Sequence, residues 1–231
     1  NIYMNIENAK DLINKLYFDS LHYTFEDVIN HPIRILEASK SIIGINPKKP
    51  ITKLLDYCQQ RNLKIKSNII DNQFSKLQLP EVVTILDLEL SLLKKDKKKS
   101  FINIYYLTKV SDGIQILEFL LEFSLRYCSK TYFLIWSVYR MQIFLGSEHI
   151  LKSLIFCVEY IVNDIQYKRE NKSINIDKYI FENSFSPKSF HDIFTLYRIS
   201  KEEFTRSMKI YPIIGSQINE FNKEDNVQFE T

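Results

Sequence analysis

Glu118 and Glu122 stand one helical turn apart, and Arg126 stands one turn further on. Two carboxylates at that spacing share a helix face, as a general acid and its partner base would need to. The same spacing is met far more often in a surface ion-pair ladder, where each pair contributes about 0.3–0.5 kcal/mol. The ladder is the reading adopted, and no catalytic residue is assigned. His22, His31, His149 and His191 are scattered, with no His-x-x-x-His or Glu-x-x-His pattern among them. Metal sites need converging ligands, so neither a metal ligand nor a cofactor is expected. Cys58, Cys128 and Cys157 lie too far apart for redox or zinc spacing, which suits reduced thiols in a cytoplasmic chain. No Gly-flanked nucleophilic serine occurs.

Lys94, Lys95, Lys97, Lys98 and Lys99 form a basic knot, and Tyr105 and Tyr106 follow it. Lysines so grouped can contact phosphates, and exposed tyrosines can stack on bases. The plainer alternative is a solvated helix C-terminus, where lysine suits the dipole. Residues 46–110 hold 13 Lys/Arg against 6 Asp/Glu, although the whole chain carries only +3. Arg61 is the one arginine of that segment, which weakens any base-specific readout. Arg140 interrupts the most apolar part of the chain. A guanidinium there must be paired or must reach water. A bridge to Glu118 or Glu159 is expected, with a ligand carboxylate or phosphate as the alternative partner.

The elements that would carry these groups follow from periodicity. Residues 114–166 hold the single tryptophan and the densest apolar run, and they read as three antiparallel helices. Asp112 opens the first, whose Gln115, Glu118, Glu122 and Arg126 form its wet stripe. Ser129 or Thr131 caps the second, which is apolar nearly all round and ends at Gly146. Ser147 caps the third. Earlier helices are expected over 6–18, from Thr24 with a kink or restart at Pro32 through Ile43, and from Pro50 to Arg61. Pro80 opens another, with a stripe of Val83, Leu86, Leu90 and Leu93. Leu63–Lys66 alternates like a short strand, and 101–110 fits strand or helix equally. Residues 167–190 read as a surface loop partly docked by Ile174, Ile176 and Ile180. Ser186-Pro187 begins a further helix. Ser200 with Glu203 resembles a capping box opening a helix that Pro212 stops.

Residues 193–208, IFTLYRISKEEFTRSM, resemble the helix-turn-helix of many repressors. Ile193, Leu196, Ile199, Ser200, Phe204, Arg206 and Met208 carry the resemblance. Phe194 and Arg198 depart from it, where that family prefers a small residue and glycine. The resemblance implies a second helix presenting Lys201, Glu202 and Thr205 to DNA.

Together these signals predict a mainly α, single-domain bundle of about eight helices, with room for one or two short strands. The helical domain is expected over 1–215, followed by a polar tail over 216–231. Charges break every window of about 20 apolar residues, so the chain is expected to be soluble, without membrane insertion. The leading expectation is a non-enzymatic interaction or assembly subunit, bound to a protein partner or to a second copy of itself. Its aromatic content of 16 Phe and 14 Tyr exceeds what a modest core must hold. The alternative is a nucleic-acid-binding protein using 46–110 or 193–208.

Overall fold

Tyr132, Phe133, Leu134, Ile135, Trp136, Val138, Tyr139 and Met141 are all buried, so the helix carrying them lies at the centre. The computed structural model describes residues 6–48, 50–63, 82–166, 174–183 and 187–227. Among these the chain forms eleven α-helices, one 3-10 turn and no strand. They are α1 (Ile6–Ser20), α2 (Pro32–Ile45), α3 (Lys53–Leu63), α4 (Ile85–Leu93), α5 (Lys97–Val110) and α6 (Gly113–Tyr127). Then come α7 (Thr131–Leu145), α8 (Ile150–Asp164), α9 (Ile176–Asn183), α10 (Pro187–Ser200) and α11 (Ile210–Val227). The central α7 packs against α2, α6 and α8. The mainly α class expected from periodicity is the class found, with more and shorter helices than eight.

Polar groups fix how these helices meet. The N-terminus of α7 is capped by neither Ser129 nor Thr131. Instead Asp164, at the end of α8, accepts from the backbone N–H of Lys130 and of Thr131, both at 2.9 Å. Ser129 donates to the same carboxylate at 2.6 Å. One residue thus satisfies the orphan amides of a neighbouring helix and ties the two together. Deeper in, Gln142 donates to the Tyr17 hydroxyl at 3.1 Å and to the Ser153 hydroxyl at 2.8 Å. Tyr17 and Ser153 share a further bond of 2.7 Å, joining α1, α7 and α8 inside the core. Burial pushes the Tyr17 hydroxyl well above its ordinary pKa, so it stays neutral.

The entry to α2 carries a pH dependence. His31 is the N-cap, and its Nδ1 accepts from the backbone N–H of Ile33 at 3.1 Å. The ring is buried edge-on among Phe25, Phe156 and Tyr160. Burial, helped by nearby Arg34, lowers its pKa to about 3. The unfolded chain therefore binds a proton that the fold refuses. Stability should be full above about pH 6.5 and fall below it by up to ~1.4 kcal/mol per pH unit. His31→Asn keeps a capping acceptor and should flatten that slope between pH 6.5 and 5 in thermal melts.

Several expectations need correction. Thr24 opens no helix; Asp27 instead accepts from the amides of Ile29 and Asn30 in a turn. Of the two readings of Pro32, the restart is the one found: it is the first residue of α2. A 3-10 turn over Ser147–His149 precedes α8. Part of the expected loop 167–190 is α9, docked through buried Ile176. The undecided stretch 101–110 is helix. Ser200 ends α10, its hydroxyl donating to the Tyr197 carbonyl at 2.7 Å, and Pro212 sits in the first turn of α11. Residues 201–209 therefore carry no helix, and the second helix of the helix-turn-helix resemblance is not formed. The boundary set at residue 215 falls inside α11, where Ser216, Gln217 and Ile218 are buried. Gln217 donates to the Leu125 carbonyl at 2.8 Å, holding α11 on α6. Lys64–Lys66, Pro80 and Ser186 lie outside the described residues.

Candidate functional site

Helix α4 is apolar on two faces, one inward and one outward. Thr84 and Asp87 form a full capping box at its start, which fixes the helix at Ile85. The side facing α5 holds Leu88 and Leu92, but also a polar ladder. Ser100 donates to Ser91 at 3.0 Å, and Asn103 donates to Ser91 at 3.2 Å and to the Asp87 carbonyl at 3.0 Å. The outer side carries Leu86, Leu90 and Leu93, exposed at 57%, 47% and 39%. Ile85 flanks them, and Val82 just before the helix is 78% exposed. Of the expected stripe, Val83 is half-buried against the core and the three leucines are exposed. Spacings of four and three put these leucines in one line along the helix. A leucine line turned to water is the mark of a surface that another body covers.

The lysine knot does not end one helix but joins two. Lys94 is the C-cap of α4, and Lys95 follows in the left-handed region at φ 55°. The amides of Lys95 and Asp96 return to the carbonyls of Leu92 and Ser91, at 2.8 and 2.9 Å. That is the Schellman arrangement, whose left-handed position glycine usually fills. Lys95→Gly is expected to stabilise by about 1 kcal/mol, visible as a raised melting temperature. Asp96 then caps α5, accepting from the Lys99 amide at 3.0 Å. Lys97, Lys98 and Lys99 occupy the first turn of α5, the positive end of its dipole. Only Lys94 fits the plain helix-end reading. Lys97 is paired with Glu159 at 2.6 Å. Lys98 and Tyr105 lie two turns apart on one face of α5, with Lys109 held 4.2 Å above the Tyr105 ring. Tyr105 and Tyr106 are half-buried, in edge contact with each other at 6.1 Å.

Arg140 meets neither Glu118 nor Glu159. Its partners are Glu202, at 3.3 Å, and the buried Glu37, at 3.9 Å. The Glu37 carboxylate also meets Arg198 at 3.3 Å and Lys40 at 3.8 Å, and accepts from the Ser41 hydroxyl at 3.0 Å. Both guanidinium groups lie over Trp136, 5.8 and 5.7 Å from its ring centre. Three helices and the segment after α10 are therefore joined around one acid. The arrangement is an ionic fastening, because each acid in it is held by cations. Glu37 was invisible as a hub in the sequence: a lone Glu in an apolar helix gives no sign of distant arginines.

Glu118 is fully buried rather than part of a wet stripe. Its carboxylate accepts from the Thr205 amide at 2.9 Å, the Thr205 hydroxyl at 2.8 Å and the Arg206 amide at 2.9 Å. Glu122 does form the ladder with Arg126, at 2.9 Å, and also meets Arg206. Of the residues the resemblance aimed at DNA, Glu202 is held by Arg140, Thr205 by Glu118, and Lys201 pairs with Asp177 at 3.4 Å. Among the described residues no three His, Cys, Asp or Glu side chains gather as metal ligands, and no helix is long and apolar enough to cross a membrane. In comparisons with family models, curated proteins and solved structures, nothing matches the chain.

Proposed function

We propose that the chain is a non-enzymatic interaction or assembly subunit that docks a protein on the outer face of α4. The observation that carries this is the outward leucine line of α4, Leu86, Leu90 and Leu93, which is left over after Leu88 and Leu92 have been buried on the other face. The main acidic groups are bound up in structure, with Glu37 and Glu118 buried under several partners each. A cytoplasmic setting is supported by three buried thiols, none of them in a disulfide. The test is recovery of partners from the source cell with the wild-type chain and with Leu90→Glu. Proteins retained after nuclease treatment and lost with Leu90→Glu support the reading. Recovery that is unchanged by Leu90→Glu overturns it.

A nucleic-acid reading keeps one observation in its favour. Besides Lys97, which Glu159 holds, Lys98 and Lys99 crowd the positive end of α5, where they lower stability rather than raise it. Selection for an anionic partner would explain them. In that case binding to a polynucleotide falls steeply with salt, and replacing Lys94, Lys95, Lys98 and Lys99 by Gln flattens the salt slope by about four. No binding at low salt, or an unchanged slope, removes this alternative.

A further inference from the structure

The α4 surface complements itself, and we infer that its occupant is a second copy of this chain, laid antiparallel across it. This rests on the docking reading of α4. Leu86, Leu90 and Leu93 are spaced so that a two-fold axis at Leu90 sets Leu90 on its own copy. The same axis sets Leu86 against Leu93 of the second copy, at both ends. Charge then selects the direction. Asp87 lies about 4.5 Å before the axis and Lys94 about 6 Å beyond it, at 1.5 Å rise per residue. They stand two turns apart, so both flank the leucine line on the same side. Antiparallel copies bring Asp87 of each opposite Lys94 of the other, within reach of the lysine stem. Parallel copies would set this flank against the opposite one, so that Asp87 meets Glu89 of the second copy and Lys94 gains no acid.

Both groups are available for this. Asp87 spends Oδ2 on the Thr84 amide and hydroxyl, and among the described residues Oδ1 has no hydrogen-bond partner. Lys94 has no ion-pair partner among the described residues. A two-fold contact of this kind is isologous, which is the commonest route to a closed pair. The helix has only nine residues, so the contact falls at the small end of interfaces, below about 1,200 Å² in total. The pair should therefore come apart on dilution.

Sedimentation velocity from low micromolar to submillimolar concentration tests it, with circular dichroism checking that each variant is folded. The wild-type chain should shift reversibly from monomer to dimer, and Leu90→Glu should remain monomeric. Asp87→Lys alone and Lys94→Asp alone should each lose the dimer, because like charges then face each other. An equimolar mixture of these two variants should recover it as a mixed pair, and the doubly exchanged chain should recover it alone. Recovery in the mixture also shows that neither variant lost the dimer by failing to fold. A wild-type chain that stays monomeric throughout overturns the pairing, and so does a dimer indifferent to all three substitutions. If the pairing falls while lysate proteins are still lost with Leu90→Glu, the docking reading stands with a different protein as occupant.

Discussion

Glu118→Ala is expected to destabilise the fold by about 3–5 kcal/mol, measured by chemical denaturation at neutral pH. The carboxylate is fully buried and accepts three hydrogen bonds, two of them from backbone amides of the segment after α10. Bonds to a charged acceptor are worth about 1.5–3 kcal/mol each, and truncation leaves all three donors without it. The effect should reach further than the site. That segment also seats Phe204 against Tyr139 and Trp136, at 5.4 and 6.5 Å between ring centres, and brings Glu202 to Arg140. Releasing it should expose the indole, so the emission of the single tryptophan should shift to the red before global unfolding. Glu118→Gln keeps one acceptor oxygen and should cost clearly less. A loss below about 1 kcal/mol for the alanine variant would mean that the segment is held by its apolar contacts alone.

Trp136→Ala is expected to cost a similar ~3–5 kcal/mol. Trp136 is 2% exposed, stacked on Tyr139 at 5.6 Å and covered by Arg140 and Arg198. Removing it opens a cavity at the meeting of α7 with α10, and takes away the surface over which both arginines lie. Their ion pairs with Glu37 should then loosen, so the variant's stability should respond to salt more than the wild type's does. Trp136→Phe retains most of the packing and should lose less than half as much. Ready quenching of native tryptophan fluorescence by acrylamide would contradict the burial on which this rests.

The parts of the fold legible in the sequence are those where one signal acts without rivals. Helix α7 is apolar on every side, and only the centre of the bundle can accept such a helix. Asp112 and Gly146 each mark an end of a helix as expected. The misread places had two physical solutions. In ILDLELSLL, leucines line two faces of α4, and periodicity cannot say which face turns inward. The choice was made by Ser100 and Asn103 of α5, which bind Ser91 and draw that face in. Pro212 reads as a stop in the sequence, yet proline is equally at home in a first turn, which is where it sits. Glu118 matched the ladder spacing perfectly, and only the return of the chain 87 residues later buried it. The same holds for Asp164, whose partners lie across a helix junction. Of the candidate site, the lysine knot was plain in the sequence. Its division between two helix ends was not, because the left-handed turn at Lys95 uses no glycine to announce itself.

A protein seated on the outer leucines of α4 can be trapped by photo-crosslinking, with a photoreactive side chain in place of Leu90 and irradiation in the source cell. That position is half-exposed, so the replacement is compatible with the fold. The expected result is one discrete protein adduct that resists nuclease and is absent when the same side chain replaces Lys53 on α3. Failure to trap protein at position 90, with nucleic acid trapped instead from position 98, would contradict it.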